Sequence, residues 1–224
     1  MSSSILFNVV NNIPYEFNEA LYYKRLIIKS ITLPVFNNVS SQLQTNIIND
    51  GVMDYVVDEM IYSIPADLIT NLNTAFGGTY TSSISSQRVT ISGAVNFSLN
   101  DSRLLNDILG FSSNQCNGSA ASYTADFNIN LFPYNYVVVD CDLDFKRITN
   151  NLNSISFVIP NKGQNFYYSN NEKNTLDTID IELARGSNKS IKTVKFSFSV
   201  MFYDEEIRLI DFQNEKVGII LSYV

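Results

Sequence analysis

The sequence predicts an all-β fold, a sandwich with two short helices inserted between strands, on three observations. Roughly ten short apolar segments are separated by turn residues along the whole chain. Within most of them, apolar and polar residues alternate with the period of a strand buried on one face. Only two stretches show the spacing of a helix instead. No repeat, low-complexity tract or linker interrupts the 224 residues, so the reading is one domain over 1–224.

Residues 1–20 are read as an N-terminal arm or a first strand. Leu26, Ile27, Ile28, Ile31 and Leu33 form an apolar run closed by Pro34. Asn37 to Gly51 is rich in Asn, Ser and Gln and is expected to be a long surface loop. Val52 to Ile64 is apolar enough for a strand, which Pro65 should end. A first helix follows, because Leu68, Ile69, Leu72, Ala75 and Phe76 fall on one helical face. Gly77-Gly78 should stop it, since glycine takes positive φ without penalty.

From Arg88 to Ser98, Val89, Ile91, Val95 and Phe97 point inward between Thr90, Ser92, Asn96 and Ser98. Asn100 or Asp101 should then cap a second, shorter helix carrying Leu104, Leu105, Ile108 and Leu109, with Gly110 just past its end. Ser112 to Ser122 is expected to be a loop, with Cys116 in it. In Tyr136–Phe145, Val137, Val139, Cys141, Leu143 and Phe145 oppose Asp140, Asp142 and Asp144. Ser154–Ile159, Thr178–Leu183 and Val217–Val224 read as further strands. Val194, Phe196, Phe198, Val200 and Phe202 make the clearest alternation of all. The inward faces are expected to meet in one core of Val89, Ile91, Phe97, Val139, Phe196, Phe198 and Phe202. A single jelly roll suits this order because it tolerates helices in its connections. An immunoglobulin-like sandwich is smaller, and two copies would show repetition.

Composition narrows function. Net charge is −7 and no basic cluster interleaves with aromatics, so no nucleic-acid surface is expected. The chain has no His, which removes the usual general base, zinc ligand and nucleophile partner, and it is read as not an enzyme and without a cofactor. Two Cys cannot make a four-ligand metal cluster and are read as free thiols. No run of 18 apolar residues is present, so no membrane span is expected. The first residues lack a basic region and a long apolar stretch, so no secretory signal is expected. Asn is one residue in eight, and the sequons at Asn38, Asn96, Asn100, Asn117 and Asn188 are expected to be unmodified.

The stretch Met60–Phe111 reads strand, helix, strand, helix, then Leu109-Gly110-Phe111. In this order it resembles the front half of the single jelly-roll vertex proteins of virophages, Polinton-like viruses and related double-stranded DNA viruses. The resemblance continues through Tyr136-Val137-Val138-Val139-Asp140, in the place of a Tyr-Val-x-x-Asp strand. It ends with strands around the acidic turn Asp204-Glu205-Glu206, which lacks the glycine usual there. The match covers Met60 to the C-terminus, and its motifs are specific only as an ordered set.

This resemblance implies a structural virion protein: a penton subunit forming a homopentamer at the five-fold vertices of an icosahedral capsid, made in the host cytoplasm or virus factory. Its partners would be copies of itself, the neighbouring major capsid protein, and a spike or receptor. The alternatives are a trimeric minor capsid or spike-head protein, and a receptor- or carbohydrate-binding jelly-roll module. Leu109, Gly110 and Phe111 are read as a structural signature, a helix stop with a core plug. Asp140, Asp142 and Asp144 are a candidate calcium face, although alternate strand residues stand roughly 7 Å apart and offer only one or two ligands. Otherwise they form a solvated or Lys/Arg-paired face. Phe166, Tyr167 and Tyr168 are candidate interface anchors.

Overall fold

In the computed structural model, the described residues are 3–116, 118–143, 148–149, 154–155, 157–160, 167–169, 180–182, 189–213 and 215–223. The chain opens with β1 (Ser3–Val9), β2 (Pro14–Tyr23) and β3 (Arg25–Thr32). Next come β4 (Ile47–Asn49), β5 (Asp54–Val56), α1 (Pro65–Phe76), β6 (Tyr80–Ser85) and β7 (Arg88–Phe97). A π-helical turn (Leu104–Ile108), α2 (Ser113–Cys116) and β8 (Ala120–Thr124) follow. The remaining strands are β9 (Tyr134–Cys141), β10 (Ile148–Thr149), β11 (Ser154–Ile155), β12 (Phe157–Pro160), β13 (Tyr167–Ser169), β14 (Asp180–Glu182), β15 (Lys189–Phe202), β16 (Ile207–Leu209) and β17 (Val217–Tyr223).

These elements divide into two compact units, Met1–Val35 with Tyr134–Val224, and Phe36–Pro133. In the first, one sheet runs β1-β17-β3, with β13 and β14 both pairing to β3. The other runs β2-β15-β9-β12, with β16 sharing the β2 edge of β15. All pairs are antiparallel. Counting β13 and β14 as one strand and leaving out β16 and the separate β10-β11 pair, eight strands numbered along the chain lie in the orders 1-8-3-6 and 2-7-4-5. This is a complete jelly roll.

Its interior follows from strand alternation. Val194, Phe196, Phe198, Val200 and Phe202 are buried along β15, and Phe7 of β1 meets Phe196 at 6.4 Å and Phe17 at 5.1 Å, joining the two sheets. Each such ring contributes about 1.5–3 kcal/mol by leaving water. Between β1 and β2, the Asn11 carboxamide replaces strand pairing. Its Nδ2 donates to the carbonyls of Phe198 and Ile210, and its Oδ1 accepts the Phe198 N–H at 2.8 Å. At the acidic turn, Glu205 takes φ 65°, a conformation usually left to glycine.

The first 50 residues, unmatched by the sequence resemblance, supply three jelly-roll strands. Met60–Phe111 supplies none, because it lies wholly in the second unit. The one-domain reading rested on the missing linker, and the chain passes between the units close to Pro34 and at Pro133 with no Gly/Ser-rich stretch. The expected single core is accordingly two. Val89, Ile91 and Phe97 are buried with Leu68, Leu72 and Leu105 in the second unit, while Val139, Phe196, Phe198 and Phe202 are buried in the first.

In the second unit α1 forms as expected, with Pro65 at its start and Leu68, Ile69, Leu72 and Phe76 buried. Gly77 ends it at φ 57°. Asn73 on α1 pairs with both backbone groups of Ser82, closing one edge of the β6-β7-β8 sheet. A run of aromatic contacts, Tyr55–Phe76, Phe76–Tyr80, Tyr80–Phe97 and Phe97–Tyr123, ties β5, α1 and that sheet together at ring separations of 4.5 to 5.4 Å.

Four local expectations are corrected. Val95 is 74% exposed, because it lies where the β7–β8 register shifts between Ser92 and Phe97, and the alternation resumes with Phe97 buried. The expected strand Val52–Ile64 is reduced to Asp54–Val56 plus a single bridge from Met60 to Val39. The second helix is capped by Ser102, whose Oγ accepts the Leu105 N–H, rather than by Asn100 or Asp101. Cys116 ends a one-turn helix instead of lying in a loop.

Asn37–Gly51 is not a surface loop. Asn38, Ser40, Leu43, Thr45, Asn46 and Ile48 are buried, and the segment includes β4. Asn38, Ser40 and Thr45 go inside because their side chains stand in for backbone partners. Asn38 Nδ2 donates to the carbonyls of Tyr62 and Leu131 and its Oδ1 accepts the Tyr62 N–H, while Thr45 Oγ1 donates to the Asn38 carbonyl.

Candidate assembly surfaces

The signature Leu109-Gly110-Phe111 is a packing device. Leu105, Ile108, Leu109 and Phe111 are all buried. The turn is wound one residue wider than an α-helix, with Leu109 N–H bonding to the Leu104 carbonyl. Gly110 stops it at φ 85°, and Phe111 N–H returns to the Leu105 carbonyl. No reactive group is involved.

Asp140 and Asp142 share one face of the β9 region, as expected. Asp140 is half-buried opposite Ser197. Asp142 is exposed, and its carboxylate accepts the Lys195 N–H at 3.0 Å while its own N–H donates to the Lys195 carbonyl at 3.3 Å. One oxygen of Asp142 is therefore engaged in extending the β9–β15 ladder. Asp144 and Phe145 lie outside the described residues. Among the described residues no three His, Cys, Asp or Glu side chains are gathered. Tyr167 and Tyr168 pair through their backbones with Thr32 and Ile31 of β3, and Phe166 lies outside the described residues. Cys141 is buried on β9.

Sheet edges offer a further surface. Among the described residues, β1 pairs only with β17, so its other side is an edge. The strand Ser3–Val9 contains no charge, no proline and no glycine, and it holds seven consecutive register pairs without a bulge. Leu6 is 67% exposed on it. Edge strands usually carry lysine, proline or a bulge against unwanted pairing. The β2 edge shows such features, with Glu16, Glu19 and a register shift against β15. There Lys192 Nζ donates to the Phe17 and Asn18 carbonyls. The signal for the β1 edge was present in the sequence as a charge-free apolar run, but only pairing shows which strand is an edge.

Comparison with solved structures finds likeness over the full chain to viral shell proteins. The mavirus penton protein matches at 13% identity with a TM-score of 0.36, covering 100% of this chain and 99% of that one. A chain in the cryo-EM structure of the Sputnik virophage matches at 9% identity with a TM-score of 0.36, covering 100% and 97%. No protein-family model and no curated protein sequence matches.

The second unit has a different surface. Phe36–Pro133 holds eight Asp or Glu, two Arg and no Lys, a net −6 of the chain's −7. The outward side of its three-stranded sheet is built of small hydroxyls, with Thr81, Ser92 and Ser122 in one row and Ser83, Thr90 and Thr124 in the next. Thr90 bonds Thr124 and Ser92 bonds Ser122 at 2.9 and 2.8 Å.

Proposed function

We propose that this chain is a structural virion protein, a penton subunit that closes as a homopentamer at the five-fold vertices of an icosahedral capsid. The observation that carries the reading is the complete eight-strand jelly roll, assembled from residues 1–35 and 134–224. A fold hosts many functions, and two further features support this one. The uncharged β1 edge is an unblocked surface for a neighbour, and a closed ring needs such a heterologous contact on each subunit. The chain also lacks histidine throughout, so the reading assigns it neither catalysis nor a cofactor.

Its partners are copies of itself and the adjoining major capsid protein, with the vertex as its location and a spike or receptor as a further partner. Mass photometry of the purified protein tests this directly. A species at five times the 25.3 kDa chain mass is expected, with about 1,000 Å² or more buried at each stable contact. A trimer would move the chain to a spike-head or minor capsid role. A monomer at high concentration, absent from purified particles, would overturn the capsid reading in favour of a receptor- or carbohydrate-binding module.

A further inference from the structure

The second unit contains an open cleft of about 510 Å³, lined by Ser41, Gln44, Asn46, Ile47, Asp101 and Arg103. Asp101 is exposed at the rim, and only its Oδ1 is engaged, accepting from Asn106. Arg103 is the one cation of the lining, its side chain 12% exposed and paired to Asp107 at 2.8 Å. Asn46 is 3% exposed, and its Oδ1 is buried without a hydrogen-bond partner. An unmatched buried acceptor in a residue of the lining is a hydrogen bond left open to an incoming donor.

The surroundings select the donor. Ile47 lines the cleft and pairs across the β4–β5 ladder with Val56, and both side chains are exposed on the outer face. At the hairpin tip Val52 is 90% exposed beside Met53. The tip is held by Asp50, which accepts the Val52 and Met53 N–H groups through Oδ1 and the Tyr55 and Tyr80 hydroxyls through Oδ2. Exposed Asp54, Asp58 and Glu59 interleave with these apolar residues. Apolar anchors on a fixed backbone, bordered by carboxylates, fit a segment in which apolar and cationic residues alternate.

We propose that this cleft and the adjoining β4–β5 face dock an extended, basic segment of a partner protein. A Lys or Arg enters beside Asp101 and Asn46, and its apolar neighbours lie on Ile47 and Val56. The site stands apart from the capsid reading, since each can fail while the other holds.

The test is an NMR titration of the full-length, ¹⁵N-labelled chain with the peptide acetyl-Leu-Lys-Leu-Lys-Leu-amide, alongside a peptide with Glu in place of Lys. Shifts are expected in residues 41–47, 54–56 and 101–103 with the Lys peptide only, weakening several-fold between about 50 and 300 mM salt. Asp101→Asn, an exposed and nearly isosteric change, should weaken binding about fivefold or more, as should Ile47→Ser, while Asp211→Asn on the other unit should not. Absence of shifts at millimolar peptide, shifts spread over both units, or equal binding by Asp101→Asn would overturn the proposal. So would a loss of self-association in Asp101→Asn, which would assign the cleft to a second copy of the chain.

Discussion

The Gly110 α-carbon faces the Phe127 carbonyl so closely that a Cβ there would sit 2.5 Å from the oxygen. The same two residues are joined in the other direction, Phe127 N–H donating to the Gly110 carbonyl at 2.9 Å. With φ at 85°, glycine is required twice, by conformation and by contact with backbone that cannot swing aside. Gly110→Ala should therefore destabilise the protein by roughly 2–4 kcal/mol in denaturant unfolding. A loss below about 1 kcal/mol would mean that the helix stop tolerates rearrangement.

Asn38 and Tyr62 make a second pair of this kind. The carboxamide of Asn38 binds both backbone groups of Tyr62, at 2.8 and 2.9 Å, as a neighbouring strand would. Asn38→Leu strands those groups and the Leu131 carbonyl in a dry interior, at a cost of roughly 3 kcal/mol or more. Because Asn38 is fully buried, its Asn-Val-Ser sequon should remain unmodified even in a glycosylating host, which intact-mass measurement checks.

Asp50 gives a signed pH dependence. Burial alone would raise its carboxyl, but the N–H groups of Met53 and Val52 and the Tyr80 and Tyr55 hydroxyls outweigh burial and hold it below 3.8. A carboxyl lowered in the folded state stabilises the fold above its ordinary value, and that contribution is lost as pH falls through the lower folded value. The β4–β5 tip should loosen in that acid window. Carbon-detected titration of the carboxyl should show Tyr80→Phe moving its midpoint upward, and an unmoved midpoint would remove the hydroxyl from the explanation.

Much of this was legible in the chain because local periods survive folding. The alternation of Val194, Phe196, Phe198, Val200 and Phe202 is the burial pattern of β15, and Leu68, Ile69, Leu72 and Phe76 are the buried side of α1. The glycine stops at Gly77 and Gly110 follow from conformational freedom alone. What escaped was long-range. An inward-facing Val89 reads the same whichever core it enters, so the insertion between β3 and β9 left no local trace. Asn38 and Thr45 read as surface because their composition is polar, yet their bonds replace backbone ladders. Val95 misled because it sits inside the irregularity between Ser92 and Phe97, which takes it out of the alternation before Phe97 returns inward. For the candidate surfaces, residue types located the acidic β9 face. The uncharged β1 edge and the acceptor-rich cleft depend on pairing and folding that no spacing encodes.

The last expectation concerns the β1 edge. Leu6 lies at the middle of a seven-residue strand whose inner side chains, Phe7 and Val9, are buried and whose partner β17 occupies one flank only. An added strand from a neighbour would pair along the free flank with Leu6 covered. A lysine at this position is the usual natural guard of such an edge, and on an exposed side chain it leaves the monomer intact. Leu6→Lys should therefore leave the unfolding midpoint within about 0.5 kcal/mol of the parent while shifting the mass distribution from oligomer to monomer. Ser4→Lys on the same side should do the same, and Val95→Lys, exposed on the other unit, should not. If both β1 variants assemble as the parent does, the edge is not the contact. The ring, if it forms, must then close through the loops or the acidic face of β9.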